Sequence, residues 1–476
     1  MVAADPQAGA GSAAPPADVD EAGGSEQEDC SGASVARDDR GGPPAEAGHA
    51  AGTQPTPLLK ELPQEFVEFL SANGVPLEAY RLQAPPPRYV RVNPRGRLAA
   101  SHGAGPAMAA ALAEALGGVT VERVRWLASD ALPWAEVYAC DSATNLSRTE
   151  AYRDGSVYGI DAASMFAVRC LEPQPGDRVL DLCCAPGAKL CAACDAVLPG
   201  GEVVGVDVSE QRLAACRTVV RKYGLQNARL SLGDGTTWSP EAASWLDMDP
   251  PRGRGQRGRK RRFGAEGRPG EAEAAAAVAP ASFDRVLVDA ECTHDASLRH
   301  LEKFRTQWGW DTLGGRVPWV RQEGLFELQV GLLTNGFRML REGGTLVYST
   351  CSLCRRQNED VVAELLAREA TAALAPLPLP LRPPAAVPAQ PGAATGAAAD
   401  TMPAQPGAAA AAAAADAAPA RPSLLEAEGP LGEGGRHCSA RFDPGASGTS
   451  GLFVARLSRR RGPPVAGAAA AHAGQA

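Results

Sequence analysis

Short apolar runs alternate with longer amphipathic segments from Pro175 onward. The stretch "GDRVLDLCCAPGAKLCAACDAVL" predicts a buried strand, a turn that contains Gly and Pro, and then a helix. The next stretch, "GEVVGVDVSEQRLAACRTVVRKYGL", predicts a second strand with an acidic end and a second helix. This alternation predicts βαβ units, and therefore an α/β fold with a mostly parallel sheet covered on both faces. A functional site is expected at the carboxyl ends of its strands.

Later segments extend the predicted sheet. Strands are expected in "ARLSLGDGTTW", which carries Asp234 at its end, in "FDRVLVDAEC", and in "GGTLVYSTCS". The segment "RHCSARFDPGASGTSGLFVARL" predicts two strands joined by a Gly/Ser turn, which would close the sheet as an antiparallel hairpin. Near the N-terminus, "LPQEFVEFLSANG" predicts an amphipathic helix with apolar residues at Phe66, Val67 and Leu70.

Composition separates these elements from segments that lack apolar residues for a core. Residues 1–55 are acidic and rich in Ala, Gly, Pro and Ser, so we expect a disordered tail there. Other low-complexity segments lie at about 240–281, 374–430 and 459–476. The remaining residues predict a small N-terminal α/β domain over 56–150 and a larger domain over 151–458.

The charge pattern limits the class of protein. A formal net charge of −8 argues against a generally basic protein that coats nucleic acid. One basic cluster, Arg252–Arg262, suits RNA phosphate contact, nuclear import or a solvated loop. No apolar run approaches the ~18 residues of a membrane span, and the acidic start differs from a secretory signal. We therefore expect an intracellular protein, nuclear, nucleolar or cytoplasmic, without membrane contact.

The 12 cysteines are expected to be reduced, because no secretory signal accompanies them. Two pairs have C-x-x-C spacing, Cys191 with Cys194 and Cys351 with Cys354. Zinc would require both pairs to converge, and a redox pair is a further alternative. Most of these thiols are expected to behave as small buried apolar residues, and no metal is predicted.

Acids at successive strand ends predict a nucleoside site. The turn "CCAPGAK" allows close approach of the backbone to a ligand at a helix N-terminus. Asp207 ends the next strand, where a carboxylate can accept both hydroxyls of a ribose, and Asp234 can accept an amino group. The chain has no G-x-G-x-x-G fingerprint for a dinucleotide. The pattern fits S-adenosylmethionine, although each Asp could instead cap the following helix.

Two thiols are expected at the same edge of the sheet, Cys292 and Cys351. Methyl transfer to an ordinary oxygen or nitrogen needs no thiol. Carbon 5 of a pyrimidine needs one, because it becomes nucleophilic only after a thiolate adds at carbon 6. A base must then remove the carbon-5 proton so that the thiolate can leave. The two thiols beside a methyl-donor site therefore predict pyrimidine carbon-5 methylation.

With these motifs the chain resembles the Nop/Sun family of RNA cytosine-5 methyltransferases (RsmB/RsmF-like). The resemblance extends from about Pro57 to Leu457. It is carried by "VLDLCCAPGAK", "GVDVSEQRL", "LGDGT", "FDRVLVDAEC", "GGTLVYSTCSLCRRQNEDVV", "RYVRVNPR" and "YGIDAASM". It implies a Rossmann-like methyltransferase sheet, S-adenosylmethionine as cofactor, an RNA substrate (tRNA or rRNA) and an RNA-facing N-terminal domain. We expect a monomer.

The resemblance also implies roles for individual residues. Cys351 of the "STC" motif would be the nucleophile, and Cys292 would assist release of the product. Asp289 and Lys189 would face the target base, where the carboxyl of Asp289 could stabilise a ring nitrogen. The residues implied to line the methyl donor are Cys183, Cys184, Ala185, Pro186, Gly187, Ala188, Lys189, Asp207, Arg212, Asp234 and Asp289.

The chain departs from the family pattern near Cys292. Glu291 stands in place of the usual Pro, "THDAS" follows in place of Ser-Gly, and Ala188 replaces a usual Gly. A carboxylate ~4 Å from Cys292 would raise the pKa of that thiol by roughly three units at an effective dielectric of ~20. Cys292 would then stay protonated, unless the adjacent side chains point to opposite sides.

The same loop contains a candidate base. We hypothesise that Glu291 or His294 removes the carbon-5 proton, and the alternative is that both merely cap or solvate the helix near Ser297. A metal site built from His294, Asp295 and Cys292 is disfavoured, because three near-consecutive residues rarely converge on one ion.

Two further functional alternatives remain open from the sequence. The altered loop is compatible with a catalytically silent RNA-binding or ribosome-assembly factor that keeps the fold. Methylation of DNA or uracil would use the same carbon-5 chemistry.

Overall fold

The structure is a computed structural model that describes residues 62–81, 86–102, 106–129, 132–246, 248, 283–310, 324–378, 431 and 437–461. The predicted tail over 1–55 and the basic cluster Arg252–Arg262 lie outside these residues, as do most of the predicted insertions. None of the described helices is both long and apolar enough to cross a membrane.

A four-stranded antiparallel sheet comes first in the chain. Its strands are β1 (Arg88–Val92), β2 (Val121–Arg123), β3 (Val137–Cys140) and β4 (Val157–Gly159). They lie in the order β2-β3-β1-β4. The helices of this part are α1 (Gln64–Ala72), α2 (Arg97–Ser101), α3 (Pro106–Ala115) and α4 (Glu150–Arg153). The sheet extends past the predicted domain boundary at residue 150, because β4 pairs with β1.

The amphipathic helix predicted near the N-terminus is α1. It buries Phe66, Phe69 and Leu70, whereas Val67 is only half-buried. The buried side chains pack in one apolar cluster with Leu353, which follows the "STC" motif. The helix therefore supports the loops at the expected site.

The second sheet is larger. Its strands are β5 (Arg178–Asp181), β6 (Glu202–Asp207), β7 (Ala228–Leu232), β8 (Ser244–Trp245), β9 (Phe283–Asp289), β10 (Leu340–Thr350), β11 (Ala372–Leu374), β12 (Ser439–Arg441) and β13 (Phe453–Arg459). Their order is β11-β13-β10-β9-β5-β6-β7-β8, and β12 pairs with β13.

Neighbours from β10 to β7 are parallel, which confirms the predicted sheet. The antiparallel β12–β13 pair confirms the predicted closing hairpin. Strand β8 lies inside the segment predicted as an insertion and pairs with β7.

Helices cover both faces of this sheet. They are α5 (Ala162–Leu171), α6 (Ala188–Ala196), α7 (Glu210–Lys222), α8 (Leu298–Lys303), α9 (Leu325–Met339), α10 (Glu359–Arg368) and α11 (Pro444–Ser447). A π-helical turn covers Phe304–Trp308, and 3₁₀ turns cover Leu77–Tyr80, Pro133–Ala135, Leu146–Arg148, Pro240–Ala242 and Arg355–Gln357. Along β9, Leu287 packs with α5 to α7, whereas Val286 and Val288 pack with α9 and α10. Successive residues thus point to opposite faces, both of which are buried.

Candidate active site

The predicted residues converge on the carboxyl edge of the parallel sheet. Asp181, Asp207 and Asp289 end β5, β6 and β9, and Cys351 follows β10 directly. Because β9 and β10 are parallel and Ser349 pairs with Asp289, the two chains leave the sheet side by side. The segments that carry Cys292 and Cys351 therefore begin as neighbours.

The turn between β5 and α6 passes next to the end of β6. Its backbone is held there because Cys184 N donates to Val206 O at 2.9 Å and Ala185 N to an oxygen of Asp207 at 3.3 Å. Gly187 has φ +113, and a Cβ there would meet Cys216 Sγ at 3.0 Å. This position requires glycine, since other residues rarely adopt such a φ and α7 leaves no space.

Asp207 and Arg212 form one wall beside this turn. Asp207 is buried and also accepts from Ser209 N at 3.0 Å. Arg212 Nη2 donates to Ala185 O at 2.9 Å and lies 3.6 Å from the Asp207 carboxylate. Its Nε is buried without a hydrogen-bond partner in the described structure. The hydroxyls of a ribose can both donate and accept hydrogen bonds. They could therefore donate to the Asp207 carboxylate and accept from the Arg212 Nε–H, which has no partner in the described structure.

Asp234 is exposed just beyond β7. One of its carboxylate oxygens accepts from Thr236 N at 2.9 Å and from Thr236 Oγ1 at 2.7 Å. Local capping, the alternative left open by the sequence, therefore occupies that oxygen.

Lys189 and Asp289 were both expected to face the target, and they bind each other. Lys189 Nζ lies 2.8 Å from an oxygen of Asp289, and Ser349 Oγ donates to the other oxygen at 2.6 Å. Both side chains remain partly exposed at the edge of the sheet. The carboxylate of Asp289 is thus held in place without being buried.

Asp181 is an acid of this site that the sequence analysis does not identify. It is buried at the end of β5, and Cys183 N donates to it at 3.4 Å. Burial and the charge of Asp289 raise its pKa to about 8, although Lys189 acts in the opposite direction. The signal that could have identified it is the one used for Asp207, an acid at the end of an apolar strand.

The two thiols meet. Cys292 Sγ lies 3.3 Å from Cys351 Sγ, although 59 positions separate the residues. The ring of His294 adjoins both, with Nδ1 2.8 Å from Cys351 Sγ and 3.7 Å from Cys292 Sγ. Cys292 is buried, whereas Cys351 is partly exposed. A molecule that enters this edge therefore reaches Cys351 more easily.

For Glu291 and Cys292 the structure favours the alternative in which the two side chains point in different directions, so Glu291 does not keep Cys292 protonated. Glu291 is exposed while Cys292 is buried, so the two side chains point in different directions. Burial opposes ionisation of Cys292, but the hydrogen bond with Cys351 and the adjacent His294 outweigh it and lower the pKa of Cys292 to about 6. The carbonyl of Glu291 accepts from Gln329 Nε2 at 2.7 Å, which fixes the backbone in this orientation.

The loop that carries His294 is tied to the loop that carries Cys351. Thr293 N donates to Gln357 Oε1 at 3.0 Å, and Asp295 accepts from Leu353 N at 2.9 Å. His294 has φ 53, a left-handed conformation that costs a non-glycine residue roughly 1–2 kcal/mol. These hydrogen bonds hold the histidine in that conformation beside the thiols.

The strand "RYVRVNPR", expected to face RNA, uses one of its arginines internally. Arg91 is buried in β1, and its Nη1 lies 2.7 Å from Asp195 of α6. The guanidinium also stacks on the ring of Tyr158 at 4.0 Å from the ring centroid. This ion pair joins the first sheet to the helix that follows the cofactor turn.

Comparison with known proteins identifies the family. The sequence profile described as 16S rRNA methyltransferase RsmB/F matches residues 168–249 and 268–458, more than half of the chain. The chain belongs to the RsmB/F methyltransferase family. The match covers the turn after β5 and both thiols, so the resemblance seen in the motifs is confirmed.

RsmB/F-type relatives match only in part. Ribosomal RNA small subunit methyltransferase B of Enterobacter sp. (strain 638) is 29% identical over 227 residues, 47% of this chain and 41% of the relative. The protein of the same name from Sodalis glossinidius (strain morsitans) is 28% identical over 314 residues, 65% of this chain and 55% of the relative. The chain thus spans about half the length of these relatives. The crystal structure of PH0851 has a TM-score of 0.53 at 20% identity and covers 86% of this chain and 70% of that chain, which shows the fold.

RsmB/F membership confirms S-adenosylmethionine as the cofactor. The residues present fit it, because the edge provides a turn at a helix N-terminus, a held carboxylate at Asp207 and an unfilled donor at Arg212.

The raised pKa of Asp181 predicts a pH-dependent stability. In the folded chain this pKa is about 8, above the unfolded value near 4, so the folded state holds an extra proton between these values. Its stability contribution is complete below pH ~4 and is lost as pH rises toward 8, by up to about 1.4 kcal/mol per pH unit. Asp181→Asn should therefore become progressively more stable than the parent between pH 5 and pH 7.5. Urea unfolding at several pH values measures the free energy of unfolding of both proteins. A difference between them that stays constant with pH would contradict the conclusion that Asp181 is buried in its protonated form.

Proposed function

We propose that this chain forms 5-methylcytosine in RNA, either rRNA or tRNA, through a covalent cysteine adduct. The observation that carries the proposal is the contact of two thiols. The sulfurs of Cys292 and Cys351 lie 3.3 Å apart, at the same edge of the parallel sheet as the acids proposed to bind the cofactor. A thiol is needed for methylation at carbon 5, which reacts only after addition at carbon 6. The rRNA methyltransferase names of the relatives support RNA as the substrate.

Cys351 is the proposed nucleophile. Its side chain is partly exposed, and His294 Nδ1, 2.8 Å from its sulfur, can accept the thiol proton. Sulfur then forms a bond to carbon 6, and the electrons of the 5,6 double bond move into the ring. The ring nitrogen takes up a proton from solvent as the adduct forms, and Asp289, placed by Lys189 and Ser349, can accept a hydrogen bond from the resulting N–H.

Bound S-adenosylmethionine supplies the methyl group to carbon 5. We propose that Asp207 accepts its ribose hydroxyls and that Asp234 accepts an amino group through an oxygen that is not engaged by Thr236. The turn over 183–189 would present its backbone to the cofactor, and Arg212 would complete the wall.

Release of the product needs a base for the carbon-5 proton. When this proton leaves, the carbon–sulfur bond breaks, the double bond returns and Cys351 recovers its electron pair. After His294 has passed the proton of Cys351 to solvent, its imidazole is neutral again. Cys292 and His294 both adjoin Cys351, so we propose that Cys292 assists release and that the neutral His294 is the base. Glu291 is directed outward, which does not suit this role.

The base assignment predicts different effects for two neighbours. His294→Ala should slow release by about 10²- to 10⁴-fold, the usual contribution of general acid–base catalysis. Glu291→Gln should release product at close to the parental rate. Single-turnover assays that follow the covalent intermediate separate release from methyl transfer. Slow release in Glu291→Gln alone would reverse the assignment, and normal release in both would remove this loop as the source of the base.

The proposed function is tested by supplying labelled S-adenosylmethionine and total RNA to the full-length chain. Label should enter RNA, and nucleoside analysis should find it in 5-methylcytosine. Label in 5-methyluridine, or in DNA supplied as a parallel substrate, would contradict the assigned substrate. No transfer to any RNA, with cofactor binding intact, would favour the silent RNA-binding or assembly factor.

A further inference from the structure

Three side chains able to bind a metal ion surround one point at the carboxyl edge of the parallel sheet. They are Cys292, His294 and Cys351, and their ligand atoms all lie within 4.8 Å of one another. The three contacts are 3.3 Å between the sulfurs, 2.8 Å from His294 Nδ1 to Cys351 and 3.7 Å from Nδ1 to Cys292. One nitrogen of the imidazole is therefore directed at both thiols.

These distances are close to those of a zinc site. Zinc binds Cys sulfur at about 2.3 Å and His nitrogen at about 2.0–2.1 Å, which places tetrahedral ligand atoms roughly 3.6–3.8 Å apart. The pair formed by His294 and Cys292 already has this separation. The other two pairs need to widen by less than about 1 Å, a movement within the range of small side-chain rotations.

The backbone holds these ligands together without requiring an ion. Ala296 N donates to Cys351 O at 3.1 Å, and Asp295 accepts from Leu353 N at 2.9 Å. These bonds join the loop of Cys292 and His294 to the loop of Cys351. His294 has φ 53, and its imidazole Nδ1 lies 2.8 Å from Cys351 Sγ and 3.7 Å from Cys292 Sγ.

We propose that Cys292, His294 and Cys351 bind one Zn²⁺ ion and that its binding blocks methyl transfer. Binding forms two Zn–S bonds and one Zn–N bond, releases the remaining thiol protons to solvent and transfers no electrons. The fourth coordination position remains open to water. The inhibition rests on the proposed function, because the ion would occupy the sulfur that must attack carbon 6. Zinc binding itself does not depend on the proposed function.

This site differs from the one disfavoured by the sequence. That site used Asp295 as the third ligand, but the carboxylate of Asp295 accepts from Thr293 and Leu353. The distant Cys351 takes its place. The C-x-x-C pairs do not form this site, because Cys354 is not among the three ligands.

Zinc binding is tested with the reduced, metal-free, full-length chain in competition with a chromophoric chelator. The parent should bind one equivalent, and Co²⁺ used as a probe should give a thiolate charge-transfer band. His294→Gly removes a ligand but suits φ 53, so it should fold as the parent does. Removal of a residue that only hydrogen-bonds to a metal ligand typically lowers metal affinity roughly 10- to 100-fold. The Zn²⁺ affinity of His294→Gly should fall by more than this, because the variant lacks a ligand.

Cys354→Ala is the matched control, since it keeps all three ligands and removes the second thiol of the C-x-x-C pair. It should retain Zn²⁺ affinity. Loss of affinity in Cys354→Ala but not in His294→Gly would overturn the site, as would absence of binding by the parent. Methyl transfer that continues with Zn²⁺ bound would overturn the inhibition. The parent chain could bind zinc and yet transfer no methyl group when it is metal-free. That result would support the zinc site and would contradict only the proposed function.

Discussion

Replacing Cys351 with Ala should abolish methylation of RNA while the fold and cofactor binding persist. Without sulfur at this position no adduct forms at carbon 6, and carbon 5 remains a poor nucleophile. The expected loss is at least about 10⁴-fold, as for other enzymes that lose a covalent nucleophile. Cofactor affinity should change little, because Asp207 and Asp289, the acids proposed to hold the cofactor, end β6 and β9 and do not belong to the loop that carries Cys351.

The control for this prediction is Cys354→Ala, three residues further along the same loop. Cys354 is buried, and burial together with the charge of Asp295 raises the pKa of its thiol. It is therefore unsuited to attack. Retained activity in Cys354→Ala with loss in Cys351→Ala is the expected result, measured as incorporation of labelled methyl groups. Equal loss in both, with both folded, would indicate that the loop matters only structurally.

Asp289→Ala should lower the rate of methyl transfer by about 10²- to 10³-fold, the range expected when one preorganised group that stabilises developing charge is removed. Asp289 binds both Lys189 and Ser349, so its removal also releases the ammonium group from its position at the edge. The effect should fall on the rate of a single turnover at saturating RNA and cofactor.

The opposite end of the same strand provides the matched control. Asp284 pairs with Arg341 and accepts from Arg178 N, remote from the carboxyl edge. Asp284→Ala should keep the single-turnover rate of the parent. A comparable loss in both variants would mean that β9 as a whole is disturbed and would remove the support for Asp289 in the reaction.

The parallel sheet could be predicted because most of its strands are apolar runs with an acid or a sulfur at their end or just beyond it. Both faces of β9 are buried, which produces the continuous run "VLV" between Arg285 and Asp289. The same strand-end rule places Cys292 and Cys351 at one edge, and the structure brings them together. It also applies to Asp181, whose burial raises its pKa and distinguishes it from the exposed Asp234.

The loop after β9 could not be predicted in detail. Beyond the last paired residue, strand alternation no longer determines side-chain directions. The orientation of Glu291 and Cys292 depends on hydrogen bonds to Gln329 and to the Cys351 loop. The position of His294 depends on a left-handed φ, which histidine adopts more often than most non-glycine residues but which the surrounding sequence does not mark. The monomeric state, the compartment and the particular RNA remain predictions.

The most direct test of the account is to trap the protein on RNA. Purified parent, Cys292→Ala and Cys351→Ala are incubated with RNA and S-adenosylmethionine, denatured and resolved by size. We expect Cys292→Ala to accumulate a denaturation-resistant adduct, because Cys351 can attack but release is impaired, and we expect none with Cys351→Ala. An adduct formed by Cys351→Ala and absent from Cys292→Ala would contradict the assignment of the two thiols.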